Sequence, residues 1–571
     1  MVCQKEGFAE VTALHSNQLN CIYRTNDAPI ANTPKCSTKP NMNSYKTNAM
    51  IYSTIVAMGG FLFGLDAALI SGTIDYITAE FSLTPEQLGT AVSAPALGVL
   101  VALPFAGYIC NQFGRKKAIL LIAILYVISA ICSSLAPSYW TLVAARFLGG
   151  LAFSSISLAS MYIGEIAPPK LRGKLVSMTQ INIVIGLSSA YFVNYLINHW
   201  ATSGAPWVVN MGLDTSTWRW MLGSEVPFAL LWFGLLLFIP ESPSWFVFQH
   251  RDEDAKQTLR KLMPEDEIEG HVAEVRESIH KNTDDHSIKA QLRGIFGKPM
   301  RLTFVIALTI AIAQQSTGIN AVLFYAQTIF KQLGIGSDAA FVQAIWVGLT
   351  SIVFTVMGLL LVDRLGRRPL IIWGMVWIIA SLGICAYAFN NARYFVNEET
   401  IAAMESDEQN VLIDASRLQS IAGVEHTSDI EFKQAIRDTL GTEDANKHMG
   451  TILDASIQIN AKLVLFGILS FIAAFHFSVG PVMWVLFSEI FPVSLRGIAI
   501  PFFTIVTSLT SWLVQFFFPR QLESMGMTSV FLFYAGTVFA GLVILFFTLK
   551  ETKNMSIEEI EKTLRTKATT S

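Results

Sequence analysis

What this chain has least of is charge. Only 15 % of its 571 residues are Asp, Glu, Lys or Arg, against about 25 % in soluble domains. The formal net charge is −3, which gives no basic surface and no nucleic-acid partner. Its six cysteines are scattered, with Cys3, Cys21 and Cys36 near the N-terminus and Cys110, Cys132 and Cys385 in or beside apolar runs. That excludes a disulfide framework, and no metal-ligand spacing appears. There is no Gly-rich phosphate loop and no nucleophile–base pairing, so no enzyme, cofactor or metal is expected. The first 45 residues lack the apolar core of a signal peptide.

What is present is apolar. Hydrophobic residues make up 52 % of the chain and mean hydropathy is +0.47. The apolar stretches are continuous rather than alternating, which predicts a helical integral membrane protein. Twelve runs lie near 50–77, 88–109, 118–136, 139–163, 176–198, 218–239, 301–330, 340–362, 369–390, 462–487, 498–519 and 528–549. About 20 helical residues cross a bilayer core of roughly 30 Å. Lys and Arg gather after the even-numbered runs, as in GRKK, PPKLRGK, DRLGRRP and SLRG. The positive-inside rule then puts both termini in the cytoplasm of a plasma or bacterial inner membrane.

The chain repeats itself. GYICNQFGRKK matches GLLLVDRLGRR, and GEIAPPKLRG matches SEIFPVSLRG. This predicts two pseudo-symmetric six-helix halves, 49–240 and 301–550. A polar stretch at 241–300, with apolar and charged positions at helical spacing, is read as a cytoplasmic helical linker. Residues 1–48 are read as a disordered cytoplasmic tail, with synthesis from Met42 as a second possibility, and 551–571 as a second tail. The repeat offsets differ: 366 − 114 = 252 and 489 − 165 = 324. The second half therefore holds an insertion of 324 − 252 = 72 residues, placed at about 391–460 on the outer side. The outer loops carry no Asn-x-Ser/Thr acceptor.

Asp66 is the single acid in GGFLFGLDAALISG, residues 59–72. An ionised carboxylate at membrane depth is costly and needs a partner or water. A structural acid and a protonatable acid on a transport path both fit. Arg146, in WTLVAARFLGG, is the natural partner and would hold the carboxylate ionised. Glu225 in run 6 is a second intramembrane acid. Run 7 carries Gln314, Gln315 and Asn320 around Gly318. Amides bind neutral hydroxylated ligands well, because each offers donors and an acceptor; the competing reading is interhelical glue. Gln180 in run 5 is a lone amide of the same kind. In run 10, Gly480 and Pro481 break the hydrogen-bond ladder and suggest a hinge, one turn before Trp484, whose indole suits a sugar ring. At the cytoplasmic ends, Glu165 with Arg172 and Glu489 with Arg496 can pair with Arg115, Arg364, Arg367 or Arg368. Such a network can latch the halves together in one state and free them in another.

At these residues the chain resembles the sugar porter family of the major facilitator superfamily. The pieces are GGFLFGLDAALISG, GRKK, RFLGG, YIGEIAPPKLRG, PESPSW, QQSTGINAVLFYAQTIF, DRLGRRP and GPVMWVLFSEIFPVSLRG. It is similar in type to the bacterial proton–xylose symporters, which carry the acid in run 1 and the Ser-Glu pair in run 6. The resemblance implies alternating access around a sugar site between the halves. It implies an acid at the Asp66 position in proton-coupled members and commonly an uncharged residue in uniporters. It implies sugar contacts at Gln180, Gln314, Gln315, Asn320 and Trp484, and an aromatic gate at Tyr325. Ser351, Ser508, Ser511 and Phe324 depart from the family pattern, which leaves the sugar open between hexose, pentose and polyol. The expectation is a proton-coupled monosaccharide symporter working as a monomer in the bilayer. A facilitative uniporter is the alternative, and the short tails argue against a sugar sensor.

Overall fold

Backbone amides in hydrocarbon have no water to bond, so each apolar run closes its hydrogen bonds on itself as a helix. The computed structural model describes residues 42–168, 171–283, 293–397, 401, 415–441, 445, 449, 452–453, 455–555 and 557–565. Residues 1–41, most of the tail read above, lie outside them. Residues Tyr45–Ser571 form one compact unit.

Among the described residues, 10 helices are long and apolar enough to cross a membrane. One of these is two helices meeting at Gly526, where φ of 70° and ψ of 166° interrupt the run. A further span, Thr217–Leu236, is split at Ser224 into two shorter pieces. The twelve expected spans are thus present. They are α1 (Met42–Phe81), α2 (Pro85–Phe113), α3 (Arg115–Ser134), α4 (Tyr139–Ile166), α5 (Arg172–Ala201) and α6 (Thr217–Leu236) in the first half. The second half holds α7 (Arg301–Lys331, in three pieces), α8 (Ser337–Leu365), α9 (Arg367–Asn390) and α10 (Ala461–Ile490). It closes with α11, from Val493 to Gly526, and α12, from there to Thr548. Between the halves run the linker helices Pro243–Phe248, Asp252–Leu259 and Glu265–Thr283. Val247, Ala255, Leu259, Ile268 and Val272 give them a small core of their own.

The helices differ from the apolar runs at their ends and breaks. Residues 42–48, read as tail, are the first turns of α1, because a helix need not stop where hydrocarbon stops. Run 7 is not one helix. It breaks at Gly318, in the left-handed region at φ 80°, and again at Tyr325. The hinge in α10 also falls elsewhere than expected. Its two pieces part at Ser478 (φ −125°, ψ −97°), and Gly480 and Pro481 sit in the first turn of the second piece. Proline is tolerated there because first-turn amides need no partner, whereas deeper in a continuous helix its ring would meet a carbonyl.

Glycines set how closely the helices approach. A Cβ on Gly64 of α1 would lie 1.9 Å from the Ile183 carbonyl oxygen of α5, and one on Gly186 of α5 would lie 2.0 Å from that of Phe61. Between the halves, a Cβ on Gly89 of α2 would lie 2.1 Å from the Phe516 carbonyl oxygen of α11.

The halves are bonded at the end of the bundle that carries the insertion. There Asp75 of α1 pairs with Lys331 of α7. Asn198 of α5 donates to Asp338 of α8 at 2.9 Å, and the Tyr191 hydroxyl donates to the Leu323 carbonyl at 2.6 Å. Arg520 of α11 faces Glu86 of α2 at 3.7 Å. The insertion itself enters and leaves through a two-stranded ladder, β1 (Arg393–Tyr394) against β2 (Ile457–Gln458). Tyr394, Val396, Leu418, Phe432 and Ile436 are among the residues of its separate core. The helix Asp429–Leu440 leans on the α11–α12 turn, with Arg437 paired to Glu523.

Two outcomes are expected. Gly64→Ala forces a Cβ into backbone and should cost about 1–3 kcal/mol, seen as a lowered melting temperature in detergent. Gly234→Ala meets nothing within 4 Å and should not lower it. Gly89→Phe should hold the insertion end open and slow transport by about tenfold or more, with a cysteine placed beside it becoming reachable by a water-soluble thiol reagent.

Candidate functional site

The apolar face of α1 brings Asp66 to the bundle interior, where it is 6 % exposed. Arg146 of α4, 2 % exposed, donates from Nη1 to Asp66 Oδ1 at 3.2 Å. The contact uses one carboxylate oxygen. Asp66 Oδ2 is buried without a partner. Arg146 spends its Nε–H on the Ala91 carbonyl of α2 at 3.2 Å. Gly149, one turn along α4, lets Ser129 of α3 pack beside this corner: a Cβ there would lie 2.6 Å from Ser129 Oγ. Glu225 is buried at the Ser224 break of α6, its Oε1 also unpartnered. It lies within electrostatic reach of both Asp66 and Arg146. One cation therefore serves two buried acids.

The second cluster is polar and neutral. The break at Gly318 separates Gln314 and Gln315 from Asn320, yet the three amides bond in sequence. Gln315 Nε2 donates to Gln314 Oε1 at 2.8 Å, and Asn320 Nδ2 donates to Gln315 Oε1 at 2.8 Å. Asn320 Nδ2 also donates to Ser511 Oγ of α11 at 2.7 Å. Gln515, one turn beyond Ser511, donates to the same Oγ at 2.7 Å. Tyr325 is buried against Phe518, ring centroids 4.8 Å apart, with its hydroxyl donating to the Gln515 carbonyl. Among the described residues, the side chains of Gln180 and Trp484 make no hydrogen bond to this chain. Gln180 is half-buried on α5, and Trp484 is 40 % exposed beside Phe487.

The charged residues at the linker end form two matching cages. In the first half Arg115 donates to Glu165 at 3.0 Å, Ser242 donates to the other Glu165 oxygen, and Glu241 accepts the Lys116 amide at 2.9 Å. In the second half Arg367 donates to Glu489 at 2.7 Å, Thr552 donates to the other Glu489 oxygen at 2.6 Å, and Glu551 accepts the Arg367 amide at 2.9 Å. Gly114 and Gly366, with φ of 97° and 93°, turn the chain into each cage. A Cβ there would strike Glu241 or Glu551, at 2.3 and 2.7 Å.

The expected pairs of Glu165 with Arg115 and of Glu489 with Arg367 are present, and in this structure they close within each half, because Glu241 and Glu551, not singled out in the sequence, satisfy the loops locally. Arg172, Arg364 and Arg496 enter no ion pair among the described residues. Arg496 donates to the Phe491 carbonyl, and Arg368 reaches the Phe546 carbonyl and, through its amide, Glu551. A signal for the missed acids was present: PES after α6 and KET after α12 are a third repeated pair.

Comparison with known proteins decides the class of this architecture. The family model described as "Sugar (and other) transporter" matches residues 52–405 and 448–564. The chain is a sugar porter of the major facilitator superfamily. It is 31 % identical over 558 residues to the D-xylose-proton symporter of Escherichia coli (strain K12), covering 91 % of this chain and 97 % of that one. It is 30 % identical over 536 residues to the arabinose-proton symporter of Bacillus subtilis (strain 168), covering 93 % and 99 %. The solved xylose transporter XylE from E. coli, in a partially occluded inward open conformation, superposes with a TM-score of 0.66 at 26 % identity, covering 89 % of this chain and all of that one.

This sugar porter is thus a multi-pass transporter and not an enzyme. Residues 406–447, within the stretch read as an insertion, fall outside the family model. The two cages, by contrast, lie within the matched residues of both halves. If they are equivalent, Arg115→Lys and Arg367→Lys should slow sugar uptake to the same degree. Lysine keeps the charge and loses the forked contact. The expected loss is about tenfold each, on the order of 1.5 kcal/mol, read as initial uptake rates per transporter in proteoliposomes.

Proposed function

We propose that this sugar porter is a proton-coupled symporter of a neutral monosaccharide, with Asp66 as the coupling acid. The observation that carries the reading is the one-oxygen contact between Asp66 and Arg146, with the second oxygen buried and unpartnered. A carboxylate held in this way loses little when it takes a proton, because the proton can settle on the free oxygen. A two-oxygen clamp would resist it.

The proton then has a mechanical consequence. With Asp66 neutral, Arg146 turns toward Glu225 and relaxes its hold on α1. Arg146 is also tied to the Ala91 carbonyl of α2. Ala91 lies two residues from Gly89, where α2 touches Phe516 of α11. Protonation at Asp66 therefore reaches the contact between the halves through one side chain and half a turn of helix. The sugar sits against Gln314, Gln315 and Asn320, with Gln180 and Trp484 supplying the walls from α5 and α10. The short α7 segment and Tyr325 close it from one side. As the halves rock, sugar and proton cross together.

Lys and Arg gathered at the linker end support a reading in which that end and the two cages face the cytoplasm, with both termini on that side and the insertion outside. The membrane is the cell membrane. One chain contains the whole path, so a monomer suffices.

The test is uptake of a panel of labelled monosaccharides and polyols into proteoliposomes, with and without an inward proton gradient. The wild type should accumulate at least one above equilibrium under the gradient. Asp66→Asn should equilibrate that sugar without accumulating it. Gradient-independent entry by the wild type would instead make this a facilitative carrier with a structural acid.

A further inference from the structure

Helix α11 carries three buried polar residues on one face, Thr507, Ser511 and Gln515, spaced by one turn. In this stretch the hydroxyls of Thr504, Thr507 and Thr510 each donate to the carbonyl four residues earlier, at 2.8, 2.8 and 2.9 Å. That is the ordinary resting place of a hydroxyl inside a membrane helix. Ser511 does not follow them. Its Oγ accepts Asn320 Nδ2 and Gln515 Nε2, both at 2.7 Å. With both lone pairs taken, its hydrogen is left to donate.

The donor count then fixes what the cluster presents to a ligand. Asn320 has given both amide hydrogens away, to Gln315 and Ser511, so it offers an acceptor. Gln314 accepts from Gln315 at its oxygen and keeps both amide hydrogens to donate. Ser511 offers a donor. Acceptor and donors side by side match the hydroxyls of a polyhydroxylated neutral molecule, each of which both gives and takes a hydrogen.

Gln515 grips the same region a second time through its backbone. Its carbonyl would normally accept the amide of residue 519, but that residue is Pro519, which has none. The Tyr325 hydroxyl fills the vacancy at 3.2 Å. Asn320 and Tyr325 lie on or beside the short α7 piece Ile319–Phe324, which is set between the breaks at Gly318 and Tyr325. One residue of α11 therefore reaches that piece directly at Tyr325 and, through Ser511, at Asn320. Its neighbour Phe516 meets Gly89 of the other half.

We propose that Gln515 is a positioning residue of the sugar site. Through Ser511 it sets the polarity that Asn320 shows the sugar, and through the carbonyl freed by Pro519 it seats Tyr325. It acts through Ser511 and Tyr325 rather than as a sugar contact itself. The inference rests on the sugar site proposed above.

The experiment is a pair of double-mutant cycles read as KM and maximal rate of sugar uptake in proteoliposomes. Gln515→Met keeps length and loses the donor. It should raise KM about five- to tenfold, the range of one hydrogen bond, with the maximal rate within about twofold of wild type. In a Ser511→Ala background the same change should have no further effect on KM. Pro519→Ala, which favours the helix and should not unfold it, returns an amide to compete for the Gln515 carbonyl. It should raise KM in the same direction, and that rise should vanish in a Tyr325→Phe background. Additive effects in both cycles would overturn the proposal, as would a fall in maximal rate at unchanged KM. A wild type that takes up none of the sugars would remove the sugar site itself, a different failure from additive cycles in a working transporter.

Discussion

A carboxylate and a guanidinium meet in this bundle where water does not reach, and much of the first half serves that meeting. Breaking such a pair by removing one partner costs about 3–5 kcal/mol, because the other charge stays buried. Keeping it requires four helices to converge. Asp66 comes from α1, Arg146 from α4, the carbonyl that orients Arg146 from α2, and Glu225 from the break in α6. Two of the four, α2 and α4, approach backbone to backbone at Gly98 and Gly150. A single cation beside two acids is balanced for one negative charge only. On the proposed symport reading, the second negative charge is the one that a carried proton would neutralise.

The two cages at the linker end have the opposite character. Each is saturated: both oxygens of Glu165 and of Glu489 are bonded, and a second acid closes each turn. Saturated networks resist deformation. They make each half a body that moves whole. Across the halves the polar bonds are simpler, a single ion pair or hydrogen bond at a time, while the helices pack closely, Gly89 against Phe516 and Gly348 against Ser188. Rigid halves that meet along packed helices suit rocking rather than bending.

Helix number and the halving of the chain were legible because lipid forces every run into a helix and because loops repeated. Ends and breaks were not. Helix α1 runs on into polar residues, and the α10 break falls at Ser478 rather than at the Gly480–Pro481 pair. The breaks in α7 follow from a left-handed Gly318 that apolar patterning does not record. Asp66 and Arg146 stood out as charges in apolar runs. Glu551 lay among other charges, between Lys550 and Lys553, and Glu241 sat in a loop after an apolar run, where an acid needs no special explanation. Ser511 and Gln515 were hidden differently. A serine in a membrane helix usually bonds its own backbone, and only the distant Asn320 shows that this one does not.

The insertion enters and leaves through paired strands, Arg393 opposite Gln458 and Tyr394 opposite Ile457. Its mouth is thus as narrow as a hairpin, and its interior is its own. That makes it a cassette. Among the described residues, the membrane domain meets it at two adjacent chain ends and at the α11–α12 turn, so a foreign fold with neighbouring termini could be spliced in its place without stretching α9 from α10. Whatever occupied that socket would travel with the second half through every cycle, a lever visible from outside the bilayer.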